Sequence, residues 1–140
     1  MLICTVYGTP IPQGSTKAFM RPGMKHPVVT ADNAKTKPWR QAIVDAIISH
    51  HRTMIEGPVA LDVVFYLPRP KSAKKSVAAP AKKPDLDKLV RAVGDALTAA
   101  GVWRDDSQIV EISARKEFAA GEFDAIYNGL PRAEIIVRNR

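Results

Sequence analysis

The sequence has a single cysteine, Cys4, among its 140 residues. One thiol cannot form an internal disulfide, and so low a cysteine content fits a reducing compartment. No apolar run approaches the ~20 residues that a membrane-spanning helix needs. The opening residues, MLICTVYGTP, lack a basic region ahead of their short apolar run. We therefore expect no signal peptide and a cytoplasmic protein.

Acidic residues are absent between Asp62 and Asp85, although the chain as a whole carries a formal net charge of +7. Residues 67–84, LPRPKSAKKSVAAPAKKP, are rich in proline and lysine and show no periodicity, which predicts a mobile basic loop. A concentrated positive charge favours an anionic partner, and nucleic acid is the commonest one, although a solvated basic surface would look the same. The basic residues of this interval are Arg69, Lys71, Lys74, Lys75, Lys82 and Lys83.

The hydrophobic pattern predicts one α+β domain over residues 1–140. The order β-α-β-loop-α-β-β indicates a mixed or antiparallel sheet packed with two main helices. Residues 8–27 have the glycine and proline content of an irregular loop. A further strand is predicted to begin at Gln108. Its apolar residues Val110, Ile112 and Ala114 alternate with polar residues, which predicts that one face of the strand is exposed to solvent. The other strands are expected at residues 2–7, 59–66 and 133–138, and the helices at 36–51 and 86–99 with Gly101 as a stop.

Five aspartates fall between residues 83 and 110 of this basic chain: Asp85, Asp87, Asp95, Asp105 and Asp106. Crowded carboxylates repel one another unless a cation lies between them. Taken singly, Asp85 could cap a helix, Asp87 could complement the helix dipole, and Asp105–Asp106 could form a turn.

The pair Asp85 and Asp87 is harder to explain by capping alone. In an extended entry segment, residues i and i+2 project to the same side, so both carboxylates can approach one ion. Carboxylate oxygens, with water molecules completing the coordination shell, are typical ligands of Mg²⁺ or Mn²⁺ and not of zinc. The histidines offer no matching metal spacing; they are His26, His50 and His51.

Helix geometry separates the remaining aspartates. Asp95 lies about 15 Å along the helix from Asp85, so it cannot share an ion with Asp85, and we expect it to pair with Arg91 at i,i+4. Asp106 follows the helix end by only seven residues. For Asp106 to reach an Asp85 carboxylate, the chain could double back along the helix. Alternatively, two subunits could pair antiparallel, as in a two-fold dimer, so that the helix start of one subunit lies beside the segment that follows the helix of the other.

The stretch PDLDKLVRAVGDAL…GVWRDDSQIVE resembles the signature of RusA-type Holliday junction resolvases, which are small endonucleases. The D-x-D, the helical D-A-L and the D-D before the next strand occur here in the family's order and spacing. The early G-x-P-x-P segment, residues 8–12, is similar as well. The resemblance covers the chain from about residue 5 to residue 118.

This resemblance implies a RusA-like, Mg²⁺-dependent homodimer (Mn²⁺ as an alternative) that makes paired nicks in four-way DNA junctions. Asp85, Asp87 and Asp106 would be the catalytic metal ligands, with Asp105 as a close metal-binding partner. Arg91 stands where the family pattern has a lysine, and we expect it to clamp phosphate instead of transferring a proton. Lys88 replaces the asparagine of many members and would also neutralise phosphate.

Further basic residues are expected to grip backbone phosphates without reading sequence. Beside the 67–84 loop, these are the N-terminal Lys17, Arg21 and Lys25. Trp103 and Tyr66 could stack on unpaired bases or belong to the core. Two other functions remain open: a non-catalytic basic DNA-binding module, and a metal-dependent nuclease that acts on other branched or single-stranded DNA.

Overall fold

The strands and helices follow the predicted order, with one added hairpin. A computed structural model describes the chain except residues 15, 21, 24, 27, 32–33, 52, 75 and 121–128, and it leaves out the side chains of 16–19 and 28–31. A single turn of 3₁₀-helix, Asp106–Gln108, leads into the fifth strand. The elements are β1 (Leu2–Tyr7), β2 (Thr16–Phe19), β3 (Val28–Ala31), α1 (Thr36–Ile48), β4 (Val59–Leu67), α2 (Leu86–Ala99), β5 (Ile109–Phe118) and β6 (Arg132–Asn139).

The main sheet has four strands in the order β1-β6-β4-β5. Strand β6 pairs antiparallel with both β1 and β4, whereas β4 and β5 run parallel, so the sheet is mixed. Alternate residues of the strands and the apolar sides of both helices form one core, with Ile43, Phe65, Leu89, Leu97 and Ile135 fully buried. The α+β prediction with two main helices is therefore confirmed.

Helix α2 begins and ends where its sequence predicts. Asp85 is in an extended conformation at the N-cap, and Gly101 takes a positive φ of 76° after the last turn. Leu89, Val93 and Leu97 lie on the buried side, which leaves the opposite side of the helix for polar residues. The segment that leads into it begins with Leu67, the last residue of β4, and its described residues from 68 to 84 contain no helix or strand.

Two strand predictions need correction. The 8–27 segment is not wholly irregular, because Thr16–Phe19 pairs antiparallel with Val28–Ala31 in a separate two-stranded sheet. Val110 and Ile112, predicted to face the core, are 61% and 53% exposed. Strand β5 is the outermost of the described strands on its side of the main sheet, and a bulge opposite Val59 and Ala60 shifts its register.

Trp103 and Tyr66 belong to the interior. The Trp103 ring is buried, and its indole N–H donates to the Thr98 hydroxyl over 2.7 Å. Tyr66 is buried beneath the Arg132 guanidinium, which lies 3.9 Å from the ring centroid. Neither ring is free to stack on a base. No helix in the described part of the chain has the length and hydrophobicity to span a membrane.

Candidate active site and nucleic-acid surface

Asp85 and Asp87 lie at the solvent-exposed start of α2. Although Asp85 occupies the N-cap position, its side chain makes no capping hydrogen bond. Its carboxylate lies instead 3.6 Å from the Lys88 ammonium, in an i,i+3 pair with both side chains half-exposed. The capping interpretation thus accounts for the position of Asp85 but leaves its oxygens available to a ligand.

Asp105 has a clear structural role in the turn before β5. Its Oδ1 accepts a hydrogen bond of 2.9 Å from the Ser107 amide, and Gln108 completes a capping box around the 3₁₀ turn. The Gln108 side chain also donates to the carbonyls of Ile55 and Gly57, which fastens the turn to the chain before β4. Asp106 starts the 3₁₀ turn beside this fixed point.

Asp106 lies in a turn that has returned to the side of α2. The turn packs against α2, and the charges of Asp95 and Arg91 both act on the Asp106 carboxyl. Arg91 lies about 9 Å along the axis from Asp85 at 1.5 Å per residue. The chain therefore doubles back only to the level of Arg91 and Asp95.

Asp95 does not have the predicted partner. Among the described residues no ion pair joins Asp95 to Arg91, although they are spaced i,i+4. Asp87, Arg91 and Asp95 follow one another at i,i+4 on one side of the helix. Asp106 approaches this row, so Arg91 is the cation placed between the aspartates of the helix and of the turn.

The two neighbouring carboxyls of the turn have opposite pKa shifts. The pKa of Asp105 is lowered by the Ser107 amide and by its hydrogen bond with Asp106. The pKa of Asp106 is raised, first because its protonated form donates to Asp105 and then by burial and the negative charges of Asp105 and Asp95. A cation at Asp106 would compete with this proton, so binding there would weaken as pH falls through the Asp106 pKa.

Asp105→Asn is expected to bring the Asp106 pKa down towards its ordinary range, because the charged acceptor for its proton is removed. The Asp106 pKa is measured from the carboxyl carbon chemical shift of the metal-free protein as a function of pH. Asp95→Asn should lower the same pKa by less, since Asp95 acts through charge alone. An Asp106 pKa that does not move in Asp105→Asn would contradict this account.

The structure describes the predicted phosphate-binding residues only in part. Lys25, Lys71, Lys74, Lys82, Lys83 and Arg91 are exposed. Arg69 is engaged, since its guanidinium lies 4.6 Å from the Phe118 ring centroid and donates to the Lys74 carbonyl. Arg21 and Lys75 lie outside the described residues, as does the side chain of Lys17.

Sequence reasoning missed Lys116. Its ammonium donates to the carbonyls of Lys82 and Pro84, each over 2.9 Å, and so ties strand β5 to the segment that leads into Asp85. The available signal was its place in the alternation, because Lys116 continues the side of β5 formed by Ile112 and Ala114, which the sequence predicts to face the core. Lys116 is placed to fix where the D-x-D begins.

The G-x-P-x-P segment joins the two helices. The Gln13 amide donates to the Lys88 carbonyl over 3.0 Å, and the Thr36 hydroxyl donates to the Pro12 carbonyl over 2.8 Å. The side-chain oxygen of Gln13 is buried and has no hydrogen-bond partner in the described structure. This segment therefore lies against the first turn of α2, on the same side of the fold as Asp85.

A basic α+β domain that exposes carboxylates at a helix start has the general character of a nucleic-acid enzyme. The family model for endodeoxyribonuclease RusA matches residues 8–138. A protein of Bacillus subtilis (strain 168), uncharacterized protein YqaN, is 36% identical over 146 residues, covering 96% of this chain and 93% of its own.

The chain belongs to the RusA endodeoxyribonuclease family. Enzymes of this family act on branched DNA junctions and generally depend on a divalent metal ion. The family assignment extends over nearly the whole chain, in agreement with the resemblance in its aspartates.

The donor chemistry of the site fits a hard divalent cation. Its candidate ligands are carboxylate oxygens, with no thiolate or imidazole placed among them. Within the described residues, however, no group of three or more His, Cys, Asp and Glu side chains is close enough to hold a metal ion. Asp85 and Asp87 at one end of α2 and Asp106 beside its middle are therefore two separate half-sites within one chain.

Proposed function

We propose that this chain is a Mg²⁺-dependent endonuclease that resolves four-way DNA junctions by paired symmetric nicks. The observation that carries the proposal is the D-x-D pair at the start of α2, where the Asp85 side chain makes no capping hydrogen bond and remains available to a ligand. The chain after α2 also brings Asp106 back beside the same helix. The membership in an endodeoxyribonuclease family supports the reaction class. Mn²⁺ would suit the same oxygen ligands.

In this proposal Asp85, Asp87 and Asp106 are the metal ligands, and Asp105 orients Asp106 from the capped turn. A bound divalent ion would supply an activated water and neutralise charge at the phosphate. Any carboxylate oxygen not used in coordination accepts a proton or a hydrogen bond from the attacking water. Asp105 raises the pKa of the Asp106 carboxyl, which favours proton uptake by Asp106 when it is not bound to the ion.

Two cations would contact the phosphate in this scheme. Lys88 lies beside Asp85, and its ammonium can turn from that carboxylate towards a phosphate oxygen. Arg91 presents a planar guanidinium in the second turn of the helix, where it can bind two phosphate oxygens at once. The exposed lysines of the 67–84 loop, with Lys25, would hold more distant phosphates in a salt-dependent manner.

We further propose that the working form is a homodimer. A four-way junction has near two-fold symmetry and needs two matched cuts, which a two-fold dimer provides. Among the described strands β5 is an edge of the main sheet, and it exposes Val110 and Ile112 only a few residues after Asp106. An exposed apolar strand edge favours a partner, and a partner there would lie next to the Asp106 half-site.

One assay separates this function from its rivals. Synthetic four-way junction, flap and linear duplex of matched length are incubated with the protein in Mg²⁺ or in EDTA. Symmetric paired nicks in the junction, present only with Mg²⁺, are the expected result. Preferred cutting of the flap or equal cutting of the duplex would point to a less selective nuclease, and binding without cutting to a non-catalytic module.

A further inference from the structure

A large apolar pocket lies between the G-x-P-x-P segment and the 67–84 loop, with a volume of about 630 Å³. Binding sites for small organic groups span roughly 300–1,000 Å³. Proline fixes its own φ, so prolines in the wall reduce the conformational freedom that is lost when a ligand binds. Six prolines line the pocket: Pro10, Pro12, Pro68, Pro70, Pro80 and Pro84.

The mouth of the pocket is positively charged. Lys74, Lys82 and Lys83 are exposed and contribute to the lining, and no ion pair engages them in the part of the chain that the structure describes. No acid lies between Asp62 and Asp85 to offset them. An apolar interior with a cationic rim suits a flat apolar group joined to an anion, which is the chemistry of a nucleotide.

The pocket also adjoins the candidate active site. Pro84 lines it and is followed directly by Asp85. The Lys116 ammonium holds the Lys82 and Pro84 carbonyls in this wall. A base inserted here would keep its own phosphate close to the D-x-D.

We propose that this pocket takes one unstacked nucleobase from the strand that is cut, next to the scissile phosphate. The inference rests on the proposed function and adds a reason for preferring branched DNA. An apolar surface favours contact with an unstacked base, and removing a base from the stack costs least where it is already unpaired. Nucleotides at a branch point meet that condition, and those within a duplex do not.

The test uses Ala73→Trp, which fills the pocket, and Ala79→Trp, which adds the same ring to an exposed loop position outside the lining. A four-way junction carries 2-aminopurine beside the branch point, and binding is followed in EDTA, without cleavage. Wild type and Ala79→Trp should raise the 2-aminopurine fluorescence on binding. Ala73→Trp should abolish the rise and weaken junction binding by about tenfold, with duplex binding unchanged.

A second filling variant, Ala81→Trp, guards against misfolding of the first, and thermal unfolding of each protein shows whether it is folded. If the fluorescence still rises with both filling variants while they are folded, the pocket does not bind the base. The same conclusion follows if wild-type protein binds and cuts the junction without any rise in fluorescence. A filling variant that changes the oligomeric state of the DNA-free protein would also overturn the proposal, because the pocket would then be a contact site for a second copy of the chain. Failure of wild type to cut any branched DNA would refute the proposed function instead.

Discussion

Asp87→Asn is expected to lower the rate of junction cleavage by at least about a thousandfold, since loss of one ligand removes several kcal/mol of metal-dependent stabilisation. DNA binding measured in EDTA should change little. Asp87 is exposed and makes no hydrogen bond or ion pair among the described residues, so its loss should cost the fold less than about 1 kcal/mol of helix-dipole stabilisation.

The same loss is expected for Asp106→Asn. The matched control is Asp45→Asn, which removes an equal charge from the exposed side of α1, where the carboxylate accepts a hydrogen bond from Gln41. Rates come from single-turnover cleavage of a labelled junction. Asp87→Asn protein that cuts within a few-fold of Asp45→Asn would remove Asp87 from the catalytic set.

Mixing the two inactive variants then distinguishes a site within one chain from a site shared across the dimer. If the Asp87 of one subunit works with the Asp106 of its partner, a mixed dimer keeps one intact site and loses the other. Equal mixing would then restore about one quarter of the wild-type sites, as single nicks without paired resolution. If no activity returns after subunit exchange has been verified, Asp85, Asp87 and Asp106 of one chain form the same site. The turn that carries Asp106 would then have to move towards the start of α2.

Local patterns were sufficient to predict the elements that carry the aspartates. The stripe of Leu89, Val93 and Leu97 recurs at helical spacing, and Gly101 provides the positive φ at its end. Both features act within a few residues, so they can be read from one sequence. The same holds for the D-x-D at the N-terminus of this helix.

Contacts between distant segments were beyond such patterns. The alternation in β5 identified a strand, but only the sheet order shows that it lies at an edge, with Val110 and Ile112 uncovered. The capping box of Asp105 depends on Gln108, whose side chain reaches residues 53 and 51 positions away. The pocket needs two proline-rich segments to meet, which neither segment predicts by itself.

Lys116→Met is expected to reduce junction cleavage by about 10–100-fold, the loss typical when a residue that orients metal ligands is removed. Lys116 contacts Lys82 and Pro84, more than thirty residues away in sequence, and neither is a candidate metal ligand. Without its ammonium, the two carbonyls lose their donor and the segment before Asp85 is less firmly placed. The effect should appear as a higher Mg²⁺ concentration for half-maximal rate, with junction affinity in EDTA nearly unchanged.

Two further variants separate positioning from general destabilisation. Arg115→Met removes a cation from the neighbouring position of β5, where the exposed Arg115 pairs over 3.3 Å with the largely buried Glu117, and should leave the Mg²⁺ dependence unchanged. Lys116→Arg keeps a donor for the same carbonyls and should recover most of the lost rate. If Lys116→Met shows the wild-type Mg²⁺ dependence, or if Lys116→Arg fails to recover while folded, Lys116 acts on the fold alone. Recovery with a restored Mg²⁺ midpoint would instead show that β5 controls the D-x-D through these two hydrogen bonds.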